Sequence, residues 1–264
     1  MIGEVGTVSH CSHLDLAAAL TAAGQRVDLM CVDLPYSART HVGHDDGAVD
    51  ANRGADYQRR TGIKSLPRRS INYAAWSAAD VAEFVATWAP INRGWWVSIT
   101  DHVLAPEWES ALESAGLYVF APLPLYSPGS RVRLSGDGPS SWTCWIVVAR
   151  PKTREFFQWG TLPGGYSCAP ERMPVVGGKP LAAMREIVAD YSKPGDVCCD
   201  PACGGGTLPV AAKALGRQFI AGDIDAAHVE IARKRLDETV PCDARGTPIG
   251  GAKGKSEAFN WGDE

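Results

Sequence analysis

Runs of apolar residues alternate along the chain with amphipathic stretches of helical period, and the two patterns together predict an alternating β/α order. Val27 to Asp33 is β-favouring and apolar, and it stops abruptly at Leu34-Pro35-Tyr36. That is the pattern of a strand buried on both faces, delivering a carboxylate, a carbonyl and an aromatic ring to its C-terminal end. Ahead of it, Glu4 to Ser9 predicts a short strand and Leu14 to Ala23 a helix ended by Gly24. After it, periodicity vanishes from Ser37 to Asn72, a polar, charged stretch that reads as a long functional loop.

Regular pattern resumes at Ser77, where Ser77 and Asp80 suit a capping box and Val81, Phe84, Val85 and Trp88 recur at helical spacing. Gly94 to Thr100 predicts a strand. Pro106, Trp108, Ala111, Leu112, Ala115 and the terminal Gly116 predict a helix, and Leu117 to Leu123 a further strand. Trp142 to Ala149 predicts a strand running antiparallel, because the Ser-, Gly- and Pro-rich loop of residues 126–141 carries no crossover helix. Residues 153–178 are irregular and hold Phe156, Phe157, Trp159 and Tyr166, read as stacking surfaces in a loop. A helix then follows with Leu181, Met184, Ile187 and Val188 on one face. Asp196 to Asp200 predicts a strand, Pro201 to Gly206 a tight glycine loop, and Thr207 to Leu215 a helix capped by Thr207. Gln218 to Gly222 predicts the last strand, ending at Asp223-Ile224-Asp225, and Val229, Ala232 and Leu236 the last helical stripe. From Pro241 the tail lacks apolar period and is expected to be flexible.

Composition narrows the class. With 264 residues, 45% of them hydrophobic and no unbroken apolar span, the chain is expected to fold as one α/β domain over 1–240 with a tail over 241–264. No membrane segment and no signal peptide is recognised at the start, so a cytoplasmic setting is expected. The 8 cysteines form no Cys-x-x-Cys pair, which suits reduced, structural thiols. A net charge of -4 argues against indiscriminate polyanion binding, yet basic residues cluster twice. One group is Arg53, Arg59, Arg60, Lys64, Arg68 and Arg69; the other is Arg131, Arg133, Arg150, Lys152 and Arg154.

Two stretches carry chemistry. One is Asp33-Leu34-Pro35-Tyr36. The other is Asp200-Pro201-Ala202-Cys203-Gly204-Gly205-Gly206-Thr207, a glycine loop between strand and helix, with Asp223 at the next strand end placed to hold ribose hydroxyls. The loop alone admits several nucleotide-like cofactors; GGGT is not the dinucleotide pattern GxGxxG.

The two stretches in this order resemble the amino-methylating DNA methyltransferases of the β arrangement, in which a DPPY-type segment precedes the DPFxGSGT-type cofactor loop. The resemblance covers most of residues 4–240 and fits a compact, solitary or phage-like form. It implies a circularly permuted Rossmann-like α/β fold, a mostly parallel sheet with an antiparallel edge strand, S-adenosyl-L-methionine as cofactor, S-adenosyl-L-homocysteine as product and no metal. Lys179-Pro180 looks like the family's segment before the cofactor strand, and Asp223 and Ile224 like its ribose-binding strand end. Leu34 stands where the family has a first proline, and Ala202 where it has phenylalanine. The N-terminal Gly-Asp that contacts adenine is missing, with Asp15 a weak substitute.

An exocyclic amine conjugated to a base is a poor nucleophile, so acceptors must localise its lone pair as methyl transfer begins. Asp33 and the Leu34 or Pro35 carbonyl suit that role, and Tyr36 suits stacking on a base flipped out of duplex DNA. In the family a leading Asp favours adenine N6, with cytosine N4 as the alternative. RNA or protein methylation and non-catalytic nucleic-acid binding share the fold. His41, His44 and the arginines and lysines at 53–69, with Arg131 and Arg133, are the DNA-contacting candidates. A metal cluster of His41, His44, Asp45 and Asp46 is the rejected reading. The expected partner is double-stranded DNA, bound by a monomer or homodimer in a bacterial cytoplasm, within a restriction-modification system or encoded by a phage.

Overall fold

The computed structural model describes residues 2–45, 73–130, 138–171 and 173–249, with backbone alone over 42–45. The described residues form a nine-stranded sheet. Its strands are β1 (Thr7–His10), β2 (Val27–Val32), β3 (Asn92–Thr100), β4 (Tyr118–Val119), β5 (Leu123–Tyr126), β6 (Thr143–Arg150), β7 (Tyr166–Ser167), β8 (Val197–Asp200) and β9 (Gln218–Asp223). They lie in the order β1-β9-β8-β2-β3-β6-β5-β7, with β4 also on β6. From β1 to β3 every neighbour is parallel. β6 runs antiparallel to β3, β5 antiparallel to β6, and β7 parallel to β5. The antiparallel strand is therefore internal, where the sequence suggests an edge; the three short strands β4, β5 and β7 lie outside it.

Helices cover both faces. On one lie α1 (His13–Ala22), α3 (Ala78–Trp88) and α4 (Ala105–Ser114); on the other α5 (Leu181–Tyr191), α6 (Thr207–Ala214) and α7 (Ala226–Asp237). The central strands feed both cores by alternation. Leu29 and Cys31 of β2 face the α5 side and Met30 and Val32 the α1 side, while Trp95 and Trp96 of β3 divide in the same way. That two-sided burial is why β2 reads as a continuous apolar run. The capping box predicted at Ser77 holds: Asp80 accepts from the Ser77 backbone N–H at 2.7 Å and from its hydroxyl at 2.6 Å.

Several expectations are corrected. The strand expected at Leu117 to Leu123 splits into β4 and β5, with Pro122, which brings no N–H to a ladder, in the gap between them. Ser37 to Asn72 is not loop throughout: α2 (Ala38–Asp45) follows Ser37 directly. Gly206, in the left-handed region at φ 77, caps α6 in place of Thr207. Residues 153–178 form no open stacking surface. Phe156 and Tyr166 are buried and Phe156 and Trp159 pack edge-on against Trp95, leaving Phe157 exposed. Within the tail the described residues reach Ile249, with Cys242 buried and its N–H donating to the Ala214 carbonyl at 2.8 Å. All eight cysteines are free.

One close approach sets the register of the central pair. A Cβ at Gly94 would lie 1.8 Å from the Asp28 carbonyl oxygen, beside the irregularity between Val27 and Leu29. Gly94→Ala is therefore expected to cost on the order of 3 kcal/mol, read as a lower denaturation midpoint; an unchanged midpoint would show that β2 and β3 can part freely here.

Candidate active site

Because β1, β9, β8, β2 and β3 are parallel, their C-terminal ends share one edge of the sheet, and both chemistry-bearing stretches emerge there. β6 starts at that edge and β5 finishes at it, so the loop of residues 126–141 joins them from the same side. Arg150 ends β6 at the opposite edge, and Lys152 and Arg154 follow it away from the site. The described members of the second basic group therefore lie away from this edge.

Asp33 lies one residue past β2. Lys179 Nζ donates to both its oxygens, at 2.6 and 2.5 Å, and the Tyr36 hydroxyl donates to Oδ1 at 3.2 Å. Leu34 and Tyr36 are buried. The Tyr36 ring carries the Lys179 ammonium 5.0 Å from its centroid, and the Tyr36 carbonyl accepts from the Trp76 N–H at 3.0 Å. That last bond pins the point where the chain returns from its excursion after α2.

Sequence reasoning missed Asp101. One of its oxygens accepts from the Ser37 N–H at 3.0 Å, the Ser37 hydroxyl at 2.5 Å and the Thr40 hydroxyl at 2.5 Å. The other accepts from the N–H groups of Val103 and Leu104 at 3.1 and 2.9 Å. One carboxylate thus ties the chain leaving Tyr36 to the turn entering α4. Burial opposes its charge, but the hydrogen bonds from Ser37, Thr40 and Leu104 outweigh that and hold its pKa below the ordinary carboxylate value. The visible signal is an acid between the end of an apolar strand and the Pro106 helix, a position suited to bonding the N–H groups that follow it.

The glycine loop follows β8. Gly204 and Gly206 take positive φ, and a Cβ at Gly206 would lie 2.6 Å from Ala232 Cβ, so this turn needs glycine to sit on α7. Asp223 accepts the Gly204 N–H at 2.7 Å on one oxygen and the Asp225 N–H at 2.9 Å on the other. His228 Nδ1 also lies 3.3 Å from the oxygen that takes the Asp225 N–H, so the oxygen bonded to Gly204 is the one that keeps acceptor capacity for a ribose hydroxyl. Ile224 beside it is 76% exposed, an apolar platform for an aromatic base. Burial pushes the Asp200 carboxyl well above its ordinary range, the Ala202 N–H works the other way, and the charges of Asp33 and Asp223 add to the rise. Lys179 balances the charge of Asp33 and burial favours the neutral form of Asp200, so the three carboxyl groups at this edge do not act as three like charges.

The remaining candidates are distributed as follows. Pro180 precedes α5 and Lys179 sits on Asp33. Asp15 is taken up by a capping box, accepting from the Ser12 hydroxyl at 2.7 Å, which accounts for it without a cofactor. His10 ends β1 opposite Asp223 and contacts the Ile224 carbonyl at 3.0 Å. His41 stands edge-on to Tyr73 at 5.4 Å. The side chain of His44, with Arg53, Arg59, Arg60, Lys64, Arg68, Arg69, Arg131 and Arg133, lies outside the described residues. Among the described residues no three His, Cys, Asp or Glu side chains are grouped to hold a metal ion, and no helix is long and apolar enough to cross a membrane.

Residues 176–234 match a DNA methylase family of the N6/N4 type. The chain is 40% identical over 63 residues to the Type II methyltransferase M.HinfI of Haemophilus influenzae, covering 24% of this chain and 18% of that protein. It is 44% identical over 59 residues to the Type II methyltransferase M2.DpnII of Streptococcus pneumoniae, 22% of each. The matches thus span only about a fifth of the length of these curated relatives. In fold, M1.HpyAVI in complex with SAM aligns over 88% of this chain and 98% of its own, with a TM-score of 0.63 at 19% identity. The PvuII DNA methyltransferase, cytosine-N4-specific, aligns over 87% of both chains with a TM-score of 0.57 at 11% identity. The fold is that of the S-adenosylmethionine-dependent methyltransferases. The likeness to the amino-methyltransferases of the N6/N4 type lies in residues 176–234 by sequence, and the likeness in fold extends over most of the chain.

Because Asp101 titrates below the unfolded-state carboxylate value, its stabilisation is present above about pH 4 and lost as pH falls through its lowered folded value. Asp101→Asn is expected to cost about 2 kcal/mol at neutral pH, with the gap to the native protein closing under acid. Melting curves from neutral pH down to about pH 3 check this; a gap independent of pH would refute it.

Proposed function

We propose that the protein transfers a methyl group from S-adenosyl-L-methionine to the N6 amine of adenine in double-stranded DNA. The observation that carries this is the placing of Asp33 and Tyr36 at the end of β2, one strand from the glycine loop at the end of β8. When bound, the cofactor supplies an electrophilic methyl group. Asp223, Ile224 and the loop of residues 200–207 suit its nucleoside and amino-acid ends. Asp33 and the Pro35 carbonyl accept from the target amine and favour its localised lone pair, and positioning supplies much of the acceleration.

The leading Asp of Asp33-Leu34-Pro35-Tyr36 supports adenine, by its resemblance to the adenine-methylating members of the family. Cytosine N4 is the second reading, favoured by the fold shared with the cytosine-N4-specific PvuII enzyme. Base flipping brings the amine to the edge, and the basic stretches that follow Tyr36 and Tyr126 in sequence, both of which end strands or strand extensions at this edge, support contact with backbone phosphates. A bacterial cytoplasm, with host or phage DNA as substrate, suits this reading.

The test incubates the native protein and Asp33→Asn with unmethylated duplex DNA and labelled S-adenosylmethionine, then digests the DNA and identifies methylated nucleosides by mass spectrometry. N6-methyladenine is expected, with the variant slower by about 100-fold or more. N4-methylcytosine would keep the chemistry and replace the base. No methylated nucleoside, despite cofactor binding, would overturn the DNA assignment in favour of RNA or protein.

A further inference from the structure

We infer that Lys179 belongs to the methyl-transfer centre, as the residue that positions Asp33, and is not a cofactor ligand. This rests on the methyltransferase reading above. The Lys179 ammonium has three N–H groups, and three acceptors take them: both oxygens of Asp33, at 2.6 and 2.5 Å, and the Gly177 carbonyl at 2.9 Å. With that complement filled, no donor is left for a cofactor carboxylate. The side chain is only 10% exposed and lies against the Tyr36 ring, whose hydroxyl bonds the same carboxylate. Ammonium, carboxylate and ring therefore enclose the place where a target amine is to be held. A carboxylate gripped at both oxygens keeps one orientation, and that orientation decides whether the amine lone pair points at the methyl group.

The stretch carrying Lys179 also reaches the other half of the site. A Cβ at Gly205 would meet Val175 Cγ2 at 2.9 Å and Pro174 Cγ at 3.3 Å, so residues 174–179 cover the glycine loop at one end and grip Asp33 at the other. The orientation of Asp33 is thus tied to the segment that lies over the cofactor loop.

The test compares native protein, Lys179→Met and Lys179→Arg. Cofactor affinity is measured by calorimetry with S-adenosylmethionine, and kcat and KM with unmethylated duplex genomic DNA. Lys179→Met is expected to keep cofactor affinity within about twofold and KM for DNA within about threefold, while kcat falls about 100-fold. Lys179→Arg, which restores a charge able to fork onto a carboxylate, is expected to recover about tenfold of that loss. If Lys179→Met does not fold, as judged by circular dichroism, Lys179→Gln carries the same comparison with one hydrogen bond to Asp33 kept. A cofactor affinity weakened about tenfold or more with kcat preserved would overturn the proposal and make Lys179 a cofactor ligand. Equal losses in the Met and Arg variants would also overturn it, by showing that charge on Asp33 is not what matters. Absence of turnover in the native protein is a separate result, and it would remove the methyltransferase reading and this proposal together.

Discussion

The site exists because β2 and β8 lie side by side. Met30 stands opposite Cys199 and Leu29 opposite Cys198, joining the first and second halves of the chain in parallel at the middle of the sheet. Parallel neighbours are only about 4.8 Å apart, and their ends reach the same edge. Asp33 and Asp200, 167 positions apart in sequence (200 − 33), are therefore brought together there by main-chain hydrogen bonding. The cores on both faces hold that pairing in place. Leu29 and Cys31 are locked by the α5 side, Met30 and Val32 by the α1 side, and slipping β2 by one residue would exchange all four.

The edge so formed gathers four carboxyl groups, Asp33, Asp101, Asp200 and Asp223, and the protein manages each differently. Asp101 is committed to structure, gathering hydroxyl and main-chain donors so that the chain leaving Tyr36 has a fixed course. Asp223 ties the glycine loop to the next strand through the Gly204 N–H and remains beside the exposed Ile224. Asp200 is driven by burial toward its neutral form. Asp33 carries a partner cation. A site that neutralised all four in the same way would be stable and inert; the different treatments leave particular acceptors available to a ligand.

Much of this is legible in the sequence, for local physical reasons. β2 and β3 are buried on both faces and so read as unbroken apolar runs, while Ser77 with Asp80 and the stripe from Val81 to Trp88 mark a helix by chemistry contained within it. What escapes is whatever depends on partners distant in sequence. α2 has almost no apolar period, and its start is fixed by Asp101, some sixty residues further on. The basic group at 131–154 looks continuous, yet the antiparallel course of β6 carries Arg150 to the far edge. Lys179 is recognisable beside Pro180 as part of a cofactor-side segment, but its hold on Asp33 becomes visible only in space.

The central claim is that the Asp33 segment and the glycine loop are two walls of one site. The most direct measurement is a crystal structure of the protein with sinefungin, a cofactor analogue carrying an amine in place of the sulfonium methyl. The account predicts ribose hydroxyls on Asp223, the adenine against Ile224 and that amine directed toward Asp33. Sinefungin seated away from the edge of β2 and β8, or with its amine turned from Asp33, would contradict it.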